Sequence, residues 1–186
     1  MGEKSQENGR SSLTRKEDRL MRFRTADLAL IGMIAGTYSL LTLLGGELSF
    51  GSVNFRFSNA LIGLVPIFGW PAIFGIALGV FIGNAFGPSL GLPDILLSPI
   101  FSLLGLVAVY LLRKISVIAG LVTYSLIISL WVNFLLSLPP IGLPYFPTFW
   151  FTLAGVSLMV VGLAYFVYKG LMSSGVKRRA RSVFPD

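Results

Sequence analysis

The sequence predicts an all-α membrane protein of six transmembrane helices with both termini in the cytoplasm, and three observations lead there. The 186 residues are 54% hydrophobic and only 12% charged, with a mean hydropathy of +0.80, whereas charged residues make up about a quarter of a soluble domain. The apolar residues fall in runs of roughly 20, the length that spans a bilayer as a helix, divided by Gly/Pro or basic breaks. Finally, 14 of the 15 Lys and Arg residues lie in two tails and one short turn: seven before residue 25, two at Arg113-Lys114 and five from Lys169 onward. Cytoplasmic segments carry the excess of basic residues, so six spans place all of these inside and leave Arg56 as the one outer cation. The net charge of +7 therefore reads as a membrane-facing cytoplasmic surface and not as a nucleic-acid site.

Residues 1–24 read as a polar, loosely ordered cytoplasmic tail, without the basic, apolar and small-residue succession of a secretory signal. Residues 25–170 form the membrane domain and 171–186 a basic tail. The first helix, 26–44, is entered through Arg22 and Arg24 and ends at Gly45-Gly46. Its small residues Ala29, Gly32 and Gly36 recur at helical spacing, and Gly32-x-x-x-Gly36 suits the close approach of a helix, from this chain or from a partner. Residues 57–86 are apolar for 30 positions, about 45 Å as one helix against a hydrocarbon core of about 30 Å. Pro71 lacks a backbone donor and disfavours helix at Trp70, so Gly69-Trp70-Pro71 breaks the run into helices 57–69 and 71–86. Charge parity agrees, because an unbroken run would put the basic turn and the basic C-terminal tail outside.

The third helix carries Gly75, Gly79 and Gly83 at four-residue spacing, a groove for helix packing. A Gly/Pro loop at 87–93 leads into the fourth helix, 94–112, with Asp94 as its candidate N-cap. After the Arg113-Lys114 turn come a fifth helix at 116–138, an irregular loop at 139–144 and a sixth helix at 148–168.

Between Leu28 and Tyr168 only Glu47, Arg56, Asp94, Arg113 and Lys114 are charged, and the first three lie at outer helix ends. Asn54, Ser58 and Asn59 open the second helix, Asn84 lies near the outer end of the third, and Asn133 and Trp131 near that of the fifth. Tyr145 and Trp150 sit at comparable depth. A charge at mid-bilayer costs about 2.5–3.5 kcal/mol on insertion scales, so this convergence points to a small-molecule pocket. Each residue also has a purely structural reading: Asp94 as a cap, Tyr145 and Trp150 as interfacial aromatics, Asn84 and Asn133 as interhelical hydrogen-bond partners, and Arg56 paired with Glu47 or Asp94. No Cys and no His occur, so thiolate chemistry, the usual proton shuttle and the commonest metal ligand are missing; no catalytic residue, metal or cofactor is expected. With no G-x-x-x-x-G-K-[ST] loop and no visible internal repeat, an outer pocket without an engine suggests that a partner supplies the energy.

The run F-G-S-V-N-F-R-F-S-N-A-L at 50–61, P-x-x-G at 66–69, G-x-x-x-G-x-x-x-G-N at 75–84 and G-L-P-D at 91–94 resemble the QueT family, substrate-binding S-components of energy-coupling factor (ECF) transporters. The resemblance covers about residues 25–170, and F-R-x-S-x-A-L is its most specific element. It implies a six-helix S-component fold whose outer pocket is closed by the loop between the first two helices. It also implies import of a 7-deazaguanine-type precursor of queuosine and related bases, with a transmembrane coupling subunit and two cytoplasmic ATPase subunits as partners. Family members dock on the coupling subunit through small residues of the first helix, here Ala29, Gly32 and Gly36. One position departs: the family usually has an acidic residue after the motif serine, and this chain has Asn59, an amide with both donor and acceptor. An S-component for another small nutrient, a vitamin or nucleobase, and a non-transport membrane assembly protein are the alternatives. Under the leading reading Glu47, Asn54, Arg56, Ser58, Asn59, Asn84, Asp94, Trp131 and Asn133 would contact the substrate.

Overall fold

A computed structural model of the chain describes residues 25–51, 54–139 and 141–174, which form helices joined by turns and short irregular connections, with no strand among them. The tail expected at 1–24 lies outside the described residues, as does the tail expected at 171–186 from residue 175 onward, while 171–173 continue the last helix. The helices are α1 (Thr25–Leu44), a short α2 (Glu47–Phe50), a 3-10 helix (Phe57–Leu64) continued by α3 (Val65–Phe68), then α4 (Trp70–Phe86) and α5 (Leu92–Leu112). They are followed by α6 (Val117–Ser137), α7 (Tyr145–Ser157), a π-helical stretch (Leu158–Ala164) and α8 (Tyr165–Ser173). Among the described residues four helices are long and apolar enough to cross a membrane: Thr25–Leu44, Leu92–Leu112, Val117–Ser137 and the continuous Tyr145–Ser173. Phe57–Phe68 and Trp70–Phe86 are shorter apolar helices. Large apolar side chains such as Met33, Leu44, Phe86, Leu104, Leu111 and Phe166 face outward, which is the surface of a protein whose solvent is lipid.

The chain breaks where Pro71 predicts. Gly69 adopts φ 63°, a backbone that side-chain-bearing residues rarely take, and Pro71 sits in the first turn of α4, where its missing N–H costs nothing. Beside the break, Arg113 Nη1 donates to the Pro66 carbonyl at 3.2 Å, and its guanidinium lies 4.0 Å from the Tyr110 ring. The end of α5 is thereby tied to α3.

Two expectations need correction. The segment expected as an α-helix at 57–69 is largely 3-10, which rises about 2.0 Å per residue. Its twelve residues with α3 therefore cover roughly 22 Å, against about 18 Å as a pure α-helix. The helix expected at 148–168 runs from Tyr145 to Ser173 and is interrupted by the π stretch. These two irregular segments pack on each other: Gly63 of the 3-10 helix rests directly on the Ala164 carbonyl, which occupies the space a Cβ would need.

Elsewhere the packing is set by glycines. A Cβ on Gly75 would come within 3.0 Å of the Ile31 carbonyl of α1, one on Gly79 within 3.0 Å of the Ala35 carbonyl, and one on Gly83 within 3.1 Å of Thr42. The α4 stripe therefore lies flush against α1, while Gly105 receives the Tyr124 ring and seats α6 on α5. The shared core contains Tyr38, Ile62, Ile73, Ile76, Leu106 and Tyr124.

Candidate functional site

The site grows out of the loop between α1 and the 3-10 helix. After α2 the chain doubles back, with the Phe55 N–H bonded to the Leu48 carbonyl at 2.8 Å and the Asn54 N–H to the Gly51 carbonyl at 2.9 Å. Asn54 takes φ 51°, a left-handed conformation that Asn tolerates better than most residues. This reversal lays Arg56 over α2. Its Nε donates to the Ser49 carbonyl at 2.9 Å, its guanidinium carbon is 4.7 Å from the Phe50 ring centroid, and the residue is only 8% exposed. A cation over an aromatic face is favourable by about 0.5–2 kcal/mol depending on desolvation. Among the described residues neither Glu47, which is exposed, nor Asp94 pairs with it.

Next along the chain, Ser58 and Asn59 turn toward α1. The Thr42 hydroxyl donates to Ser58 Oγ at 2.8 Å, and the Tyr38 hydroxyl donates to Asn59 Oδ1 at 2.8 Å. Tyr38 and Thr42 are four residues apart and so share one face of α1. With three residues per 3-10 turn, Asn59, Ile62 and Val65 fall in one buried column beneath this layer.

The facing wall comes from α5 and α6. Gly91, at φ 100°, lets α5 begin at Leu92, so Asp94 occupies the helix's third position and is not its N-cap. Its carboxylate accepts from Asn84 Nδ2 at 3.0 Å, from the Leu90 N–H at 3.1 Å and from the Ser98 hydroxyl. Ser98 Oγ in turn accepts from the Trp131 indole N–H at 2.7 Å, and one Trp131 face is stacked on Phe101, centroids 4.2 Å apart at 15°. Asn84 and Asp94 thus lie one layer behind Trp131 and hold it through Ser98.

Between the walls is a partly enclosed space of about 290 Å³, its opening included, pinched inside to the size of about one water molecule. Tyr38, Arg56 and Asn59 form one side, Ser98, Ser102, Tyr124 and Trp131 the other, and Ile128 and Val132 the apolar remainder.

Of the residues singled out from the sequence, Arg56, Asn59 and Trp131 meet at this space. Ser58 is buried against Thr42, and Asn54 is 2% exposed with an Oδ1 that has no partner among the described residues. Asn84 and Asp94 support the wall from behind. Asn133 points elsewhere, donating from Nδ2 to the Tyr145 carbonyl at 2.9 Å and joining α6 to the start of α7, and Trp150 is 66% exposed. On α1, Ala29, Gly32 and Gly36 face outward, and a Cβ on either glycine would meet nothing within 4 Å.

Sequence reasoning missed Tyr38, Ser98, Ser102 and Tyr124. A signal existed for two of them: Asp94, Ser98 and Ser102 repeat every fourth residue, one polar line along an otherwise apolar helix. Among the described residues no three His, Cys, Asp or Glu side chains group as metal ligands do. The site offers instead one guanidinium, several hydroxyls, an amide and an indole, a set that hydrogen-bonds and stacks. Compared with known proteins, the chain matches the model of the QueT transporter family over residues 28–173, while no curated protein and no solved structure matches it.

Proposed function

The chain belongs to the QueT transporter family, multi-pass membrane proteins that handle a small substrate, and from that premise we propose that it is the substrate-binding S-component of an ECF-type importer. It captures a 7-deazaguanine-type queuosine precursor at the end of the bundle that carries Arg56. The single observation carrying this reading is the convergence of Arg56, Asn59, Tyr38, Tyr124 and Trp131 from α1, the start of the 3-10 helix and α6 on one small space in an apolar bundle. The guanidinium would meet the carbonyl edge of a flat base, and Trp131 would contact its ring. Glu47 and Asn54 belong to the closing loop around Arg56, Ser58 ties the 3-10 helix to Thr42 of α1, and Asn84, Asp94 and Asn133 position their neighbours.

In this reading Phe57–Phe68 and Trp70–Phe86 join the four long helices as spans five and six, their shortness absorbed by local bilayer thinning. The Lys and Arg distribution puts both termini in the cytoplasm and the pocket outside the plasma membrane. Ala29, Gly32 and Gly36 form the face that docks on the transmembrane coupling subunit, because that face of α1 is left open by the rest of the chain. Two cytoplasmic ATPase subunits then supply the energy, and the S-component reorients in the membrane to release its cargo.

About a dozen non-hydrogen atoms at roughly 1 kcal/mol each correspond to nanomolar affinity. Calorimetry of the detergent-purified protein with the deazaguanine nitrile should give a Kd below 1 μM; absence of binding up to that concentration overturns the substrate assignment. Gly32→Leu should abolish uptake in cells that supply the coupling subunits and leave calorimetric binding intact. Lost binding would place Gly32 at the pocket.

A second reading is favoured by Asn59. With its Oδ1 held by Tyr38, the amide presents its NH₂ to a ligand and donates where a carboxylate would accept. A nucleobase or vitamin with an acceptor at that edge would fit, and the heterocycle giving the largest rise in melting temperature distinguishes the two.

A further inference from the structure

The binding space contains a buried cation and, among the described residues, no carboxylate in its walls. Asp94 touches the wall residue Ser98, but its oxygens are already engaged by Asn84, Ser98 and the Leu90 N–H on the far side of Ser98. Glu47 is exposed on α2. Arg56 itself is bonded to a neutral carbonyl and rests on a neutral ring, so its positive charge is not compensated within the site.

Inside, the space narrows to about the size of one water molecule, well under the Debye length of about 8 Å at physiological salt. Any charged group of a ligand held there lies close to the guanidinium, with low-dielectric walls on most sides and little screening between them. Two features would let a site tolerate a cationic ligand: a carboxylate in contact, or an open aromatic cage. The first is missing from the walls; for the second, Tyr38, Tyr124 and Trp131 line the space, but Arg56 lines it with them and one face of Trp131 is closed by Phe101.

We infer that the site selects by charge: it takes neutral or anionic heterocycles that present a carbonyl or deprotonated oxygen to Arg56, and it rejects the same heterocycle carrying a protonated amine. This rests on the pocket assignment made above, and it divides the precursors that assignment admits, since a nitrile substituent is neutral and an aminomethyl substituent is cationic near pH 7.

The test is calorimetry of the purified full chain at pH 7 with three 7-deazaguanines bearing nitrile, hydroxymethyl or aminomethyl at the same carbon. Hydroxymethyl and aminomethyl are nearly isosteric, so their ratio isolates charge. The expected result is that the hydroxymethyl compound binds at least tenfold more tightly than the aminomethyl one, with Arg56→Gln reducing the ratio to below threefold and Arg56→Lys preserving it. An aminomethyl compound that binds as tightly as the hydroxymethyl one overturns the charge inference and leaves the pocket assignment standing. Failure of all three to bind overturns the pocket assignment itself. A ratio unchanged in Arg56→Gln removes Arg56 as the cause; should that variant fail to purify, the wild-type ratio together with Arg56→Lys still decides the charge inference.

Discussion

Two glycine faces meet the surroundings of α1 in opposite ways. Gly75, Gly79 and Gly83 of α4 press against α1 so closely that any Cβ would contact its carbonyls or side chains. Gly32 and Gly36, on α1 itself, have empty space where a Cβ would stand. Both carry four-residue glycine spacing. A small-residue repeat in an apolar helix therefore reports that a close approach is permitted, and the tertiary structure reports whether this chain uses it. The α4 glycines are consumed by the fold; those of α1 remain free for something outside it.

Substitutions can break that comparison. The largest effect is expected for Gly79→Leu, whose side chain would be driven into the Ala35 carbonyl and Tyr38. Overpacking of this size should cost above about 3 kcal/mol, visible as loss of a monodisperse, cooperatively melting protein in detergent. Smaller is Gly83→Ala, whose Cβ would sit 3.1–3.2 Å from the Thr42 side chain, for which we expect about 1 kcal/mol of destabilisation and a lowered melting midpoint. Smallest, and of opposite sign, is Gly36→Ala. With nothing to strike, the added methyl should leave stability unchanged or raise it by up to about 1 kcal/mol through helix propensity. A Gly36→Ala midpoint falling as far as that of Gly83→Ala would mean that the α1 face is packed within the chain after all.

Much of the site was readable as anomaly. Arg56, Asn59 and Trp131 stood out because a cation, an amide and an indole at outer helix ends are costly or conspicuous in an apolar chain. Tyr38, Ser98, Ser102 and Tyr124 did not, since Ser and Tyr satisfy themselves in apolar helices and carry no charge to expose them. Asp94 shows the limit of local reasoning. Its position after a Gly/Pro loop suggested a cap, yet Gly91 starts the helix earlier and turns the carboxylate inward to Asn84, Ser98 and Leu90. The break at Gly69 was legible because Pro71 acts through its own missing N–H and ring, chemistry that needs no neighbour.

The sequence by itself determined the solvent of this protein, the helical class and the place where the long apolar run divides, because hydropathy and proline chemistry act locally. Only the tertiary structure decided that the second apolar segment winds as a 3-10 helix over a π-helical partner, since that depends on Gly63 meeting the Ala164 carbonyl a hundred residues away. It alone also decided which polar groups face one another. Two residues at the same depth, Trp131 and Asn133, part company because a two-residue step on an α-helix turns by about 200°: one reaches Ser98 at the binding space, the other the Tyr145 carbonyl on a different helix.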